Sequence, residues 1–116
     1  MYPESNKEEQ TMQNNNRKRN ESAHWKNDRS RRAQKIAEVG EGKPLFHVYV
    51  DRGHRNGPEK HVVTDNAIVI IYNKRTGIHV TSLFARTGQL KEYGHYIPQK
   101  TWEKAKLWEK LGYNWL

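Results

Sequence analysis

Residues Ala67–Tyr72, AIVIIY, form the one dense apolar run in this chain. A strand buried on both faces reads this way, because no alternate position has to meet water. The run ends at Asn73-Lys74-Arg75-Thr76-Gly77, a short polar break closing on glycine, as in a hairpin whose last loop residue is left-handed. Ile78–Phe84 then alternates Ile78, Val80, Ser82 and Phe84 against His79, Thr81 and Leu83, and is expected to pair with the apolar run. Lys60–Phe84 therefore reads as scaffold. Function belongs to the polar segments at its ends, Arg52–Glu59, Asn73–Gly77 and Ala85–His95, and to the basic N-terminal arm.

Two more strands are expected before this hairpin. Leu45–Asp51 places Leu45, His47, Tyr49 and Asp51 on one side and Phe46, Val48 and Val50 on the other, a strand with one apolar face. Arg52–Glu59, with Asn56-Gly57-Pro58 as its turn signal, leads to a second strand at Lys60–Thr64. Asp65-Asn66 is read as a bulge or tight turn. Beyond the sheet, Ala85–Gly94 reads as a loop or one short helical turn. Pro98 opens the clearest helix, which Gly112 stops. Trp102, Ala105, Trp108 and Leu111 make its apolar face, with Leu107 beside them and Lys100, Lys104, Lys106 and Lys110 in solvent. Both tryptophans are read as core, and Tyr113–Leu116 as folding back onto the sheet.

These elements predict an α+β domain over residues 44–116: a small antiparallel sheet of three to four strands, covered by the C-terminal helix. Residues 1–43 are expected to be a basic, partly disordered arm with a helix at 23–39. Residues 1–22 offer almost nothing to a core and cannot recover their ordering entropy. Ser22 is a cap for the helix, Gly40 its stop, and Gly40–Pro44 a break before the domain. With 116 residues and 34% hydrophobic content, the core must be small.

The formal charge is +8. Residues 1–43 carry ten basic and seven acidic groups, 44–96 seven and four, and 97–116 four and two, so the excess runs through the whole chain. That balance points to an acidic partner, nucleic acid above all. The candidate phosphate contacts are Arg17, Lys18, Arg19, Arg29, Arg31, Arg32, Arg52, Arg55, Lys74, Arg75 and Arg86. There is no cysteine, which excludes disulfides and thiolate metal sites, and no run long enough to cross a bilayer. A cytoplasmic protein without membrane contact is expected.

The six histidines, His24, His47, His54, His61, His79 and His95, have no metal-ligand spacing. No metal or other cofactor is expected. Arg52–Gly57 has two glycines after a strand but no GxxxxGK[ST], so it reads as a turn and not a phosphate loop. Metal-free RNA cleavage needs a base for the 2′-hydroxyl, an acid for the leaving oxygen and cations for the phosphate. His54, His61, Arg86, Tyr93 and His95 are the residues to fill those roles. Arg86 and Thr87, leaving the last strand, are expected to approach the Arg52–Arg55 loop.

The segment VIIYNKRTGIHVTSLFAR, residues 69–86, resembles the strand–KxTG–strand hairpin of the metal-independent RNases of the barnase, colicin and RelE-type toxin group. The resemblance implies a small sheet with catalytic groups at strand ends. No fixed catalytic motif of that group is present to carry over. Three functions therefore stand side by side. The leading one is a non-enzymatic nucleic-acid or ribonucleoprotein-binding protein. The others are a metal-independent endoribonuclease and a protein-interaction or inhibitor module of a bacterial or phage system, which would meet an acidic protein partner.

Overall fold

The structure, a computed structural model, describes residues 21–22, 25, 30–53 and 55–116. Four strands, β1 (Pro44–Val50), β2 (Glu59–Thr64), β3 (Ile68–Asn73) and β4 (His79–Phe84), form one antiparallel sheet in chain order. Helix α1 (Arg31–Val39) precedes it, and α2 (Thr87–Tyr93), α3 (Gln99–Leu111) and a 3-10 turn (Tyr113–Trp115) follow. The expected α+β class and the C-terminal helix are both present.

The turn chemistry matches the sequence closely. In the β3–β4 loop the Gly77 N–H donates to the Asn73 carbonyl at 2.8 Å, and Gly77 takes φ +72°. The β2–β3 turn makes the same move without glycine. Ala67 N–H donates to the Thr64 carbonyl, and Ala67 adopts φ +57° while fully buried. A left-handed alanine costs about 1–2 kcal/mol, which its methyl offsets in part by filling the core.

Register sorts the side chains onto two faces, because partners across antiparallel strands share a side. One face carries the rows Phe46–Val63–Val69–Leu83 and Val48–His61–Ile71–Thr81. The other carries His47–Val62–Ile70–Ser82 and Tyr49–Lys60–Tyr72–His79. Ile68–Ile71 are all buried, as a central strand requires.

Helix α2 crosses the first face, where Tyr93 meets His61 and Phe46. On the second face α1 packs against β4 and contributes Ile36 to the common core. The arm was expected to end before the folded unit. Instead α1 belongs to that unit, and Gly40–Pro44 is stitched to the β2–β3 turn. Asn66 Nδ2 donates to the Gly40 carbonyl at 2.6 Å, and Lys43 N–H donates to Asp65 Oδ1 at 2.8 Å.

Residues 21 and 22, also assigned to the disordered arm, lie along β4. Ser22 N–H donates to the His79 carbonyl at 2.7 Å. Burial of Trp25 against His79, ring centroids 4.7 Å apart, supplies the apolar contact that composition counts alone did not reveal. Ser22 Oγ does accept from the Trp25 N–H, the bond a helix cap makes, while α1 itself starts from a second cap at Ser30.

On α3 the buried stripe is Thr101, Ala105 and Trp108, with Leu107 and Leu111 exposed. Two hydrogen bonds set this rotation. Thr101 Oγ1 donates to the Asp65 carbonyl at 2.9 Å, and Trp108 Nε1 donates to the Asn66 carbonyl at 3.0 Å. Pro98 and Gly112 bound the helix as expected. The tail folds back, with Tyr113 packed against both Phe84 and Trp108, which also touch each other, and Asn114 Nδ2 donating to the Phe84 carbonyl.

Candidate nucleic-acid interface

The second face of the sheet is half covered. Toward β4 it lies under α1 and Trp25, and toward β1 it opens to solvent. His47 is exposed and Tyr49 is 54% exposed, while Lys60, Val62 and Tyr72 are half-buried. Together with Pro44 and Lys74 they line a groove of about 700 Å³.

Strand geometry explains why these side chains converge. Alternation in β1 sends His47 and Tyr49 to this side. Pairing sets Lys60 opposite Tyr49 and Tyr72 opposite Lys60, so a lysine stands between two tyrosines. The β3–β4 loop then places Lys74 Nζ over the Tyr49 ring, 4.6 Å from its centroid. His47 meets the same ring edge-on at 5.3 Å. Among the described residues that line the groove, none is acidic. The surface is aromatic, cationic and concave.

A different cluster occupies the first face. His61, almost fully buried, has Nε2 2.9 Å from Glu59 Oε1 and Nδ1 2.9 Å from the Tyr93 hydroxyl. Gln89 Nε2 donates to that hydroxyl at 2.9 Å. One tautomer satisfies every member: Nε2–H donates to Glu59, and Nδ1 accepts from Tyr93, whose oxygen accepts from Gln89. Arg52 Nε stands 3.9 Å from Glu59 Oε1 at the rim. Burial, the largest cause, pushes the Tyr93 phenol pKa up, with Glu92 and Glu59 adding to the rise. The Gln89 bond and Arg52 oppose it.

The candidate residues named from the sequence disperse. His61 and Tyr93 are in direct contact, and His95 stacks on Phe46 beside them with ring centroids 4.3 Å apart. Arg86 is elsewhere. Val50, Glu59 and Asn73 mark one end of the sheet and Phe84 the other, so Arg86 leaves β4 at the end opposite the Arg52–Arg55 loop. The expected approach of the two fails on strand direction. Helix α2 instead runs back across the face and delivers Tyr93. The Arg86 guanidinium rests on the Trp115 ring, 4.6 Å from its centroid.

Of the basic candidates, Lys74 is in the groove. Arg75 lies against Gly57, where a side chain would come within 2.8 Å of its guanidinium carbon. Arg55 and Arg31 are exposed, and Arg32 donates to Thr81 Oγ1 at 3.2 Å on the β4 edge. Arg17, Lys18, Arg19, Arg29 and His54 lie outside the described residues.

The groove residues His47, Tyr49, Lys60 and Tyr72 were not among the sequence candidates. Alternation marked the first two as outward-facing, but only register reveals that Lys60 and Tyr72 join them. Among the described residues no group of three or more histidines and carboxylates is placed to hold a metal. No helix among them is long and apolar enough to cross a membrane. No protein-family model matches the chain, and neither a curated protein nor a solved structure matches it.

Proposed function

We propose that the protein is a small basic nucleic-acid-binding module whose contact surface is the open half of the sheet. The observation that carries this reading is the groove in which Lys60 and Lys74 stand with no acidic residue along the described lining. A surface of that kind attracts phosphate and releases counterions on binding. The net charge of +8 works in the same direction over a longer range.

The test is binding measured by fluorescence anisotropy across a salt series. Affinity should fall steeply with salt, and Lys60→Gln with Lys74→Gln should reduce the slope of log K against log salt by about 1–2. Absence of binding at low salt would overturn the reading.

A second reading rests on the Glu59–His61–Tyr93 chain with Arg52 beside it. Metal-independent RNA cleavage passes the 2′-hydroxyl proton to a base as that oxygen attacks phosphorus, and returns a proton to the departing 5′ oxygen. Glu59, half-buried at the rim and held by His61, fits the base, and Arg52 fits the phosphate contact. This reading requires chelator-resistant cleavage that Glu59→Gln abolishes. RNA left intact by the purified protein would end it.

A further inference from the structure

Charge alone favours any polyanion, duplex or single strand. The groove holds something a duplex cannot use: an exposed aromatic ring, Tyr49, with the half-buried Tyr72 in the same cross-strand row. In a duplex the bases are stacked on one another, and a protein surface reaches only their edges and the phosphates. Splayed bases in a single strand expose their faces, and aromatic side chains on a sheet stack against them.

We propose that the groove takes single-stranded RNA, with bases stacking at Tyr49 and Tyr72 and phosphates held by Lys60 and Lys74. This rests on the nucleic-acid reading above and narrows it. Tyr49 and Tyr72 lie on strands two apart in one cross-strand row, so about 10 Å separates them. Lys60 stands between them in that row. Lys74 Nζ lies over the Tyr49 ring, 4.6 Å from its centroid, within reach of a phosphate of the nucleotide that meets this tyrosine. The groove volume of about 700 Å³ falls in the range of small-ligand sites, matching a short stretch of unpaired chain.

His47 adds the preference for RNA over DNA. It is exposed on this face beside Tyr49, and an imidazole presents one donor and one acceptor. A 2′-hydroxyl is likewise both donor and acceptor. The proposal commits to RNA for that reason, and a DNA strand of the same sequence is the competitor.

The experiment is a set of anisotropy titrations on the full chain with a single-stranded RNA of mixed sequence, the matching DNA strand and the RNA duplex. They are repeated with Tyr49→Leu, Tyr49→Phe and His47→Ala. Tyr49 is exposed on an edge strand, so the three variants fold, and circular dichroism verifies it. Single-stranded RNA should bind tightest. Tyr49→Leu should weaken it by about 5- to 150-fold, the worth of one stacked base. Tyr49→Phe should keep the affinity, and His47→Ala should narrow the gap between RNA and DNA.

Equal affinity for duplex and single strand, with Tyr49→Leu silent, would overturn stacking while leaving the nucleic-acid module intact. DNA bound as tightly as RNA would overturn the assignment to RNA. No binding to any of the three at low salt would bring down the module itself.

Discussion

His61 Nδ1 lies 2.9 Å from the Tyr93 hydroxyl, and this bond ties β2 to α2 across the first face of the sheet. A buried imidazole is tolerated there because both of its nitrogens are engaged, one on Tyr93 and one on Glu59. Removing either partner leaves a polar atom stranded.

Tyr93→Phe is the cleanest probe of that bond. The ring keeps its packing against Phe46 while His61 Nδ1 loses its donor, at a cost of about 1–3 kcal/mol. The variant should also change the alkaline behaviour. The folded phenol titrates above its ordinary value because burial favours the neutral form. Its contribution is therefore complete below about pH 10 and lost as pH rises through the folded value. Urea unfolding from pH 8 to 11 should show a smaller alkaline loss in Tyr93→Phe than in the parent; parallel curves would refute the linkage.

Trp108 and Trp115 should separate sharply under the same substitution. Trp108 is 3% exposed and bonds the Asn66 carbonyl, whereas Trp115 is 79% exposed beneath Arg86. Trp108→Ala should cost about 3–5 kcal/mol, enough to unfold much of a small domain. Trp115→Ala should cost about 1 kcal/mol or less. Thermal melts of the two variants check the ordering.

Gly42 and Gly77 both hold positive φ, but only one is also crowded. A Cβ at Gly42 would fall 2.5 Å from Asp65 Oδ1 and 2.9 Å from Asn66 N, whereas at Gly77 it meets open space. Gly77→Ala should therefore lose only about 1–2 kcal/mol of backbone strain. Gly42→Ala should lose more, since the turn must shift, and chemical denaturation of the pair measures the difference.

Beside its backbone bond to the His79 carbonyl, Ser22 makes two side-chain bonds, accepting from the Trp25 N–H within its own segment and donating to the Val80 carbonyl on β4. Ser22→Ala should cost about 1 kcal/mol, the usual worth of a cap. Trp25 fluorescence should shift red as its ring gains water beside His79.

Much of the fold is legible because local rules and the fold agree. The all-apolar run marked β3, the closing glycine of Asn73–Gly77 marked a hairpin, and Pro98 with Gly112 bounded α3. The register of β1 on β2 is not local information, and with it went the groove. His47 and Tyr49 were readable as outward, but their meeting with Lys60 and Tyr72 depends on hydrogen bonds between strands. The position of Arg86 failed for the same reason, since strand direction decides which end of the sheet it leaves. Trp25 and Ile36 stand in a segment dominated by charge, where local pattern does not show that tertiary packing uses them as apolar anchors.

The central claim is that the open half of the sheet, around Tyr49, Lys60, Tyr72 and Lys74, is where nucleic acid binds. Amide chemical-shift mapping during titration with single-stranded RNA at low salt tests it most directly. The account predicts that the largest shifts fall on His47–Tyr49, Lys60–Val62, Tyr72 and the Asn73–Gly77 loop, with Leu90 and the interior of α3 unmoved. Shifts centred instead on Arg52, Glu59 and Tyr93, or no shifts at all, would contradict it.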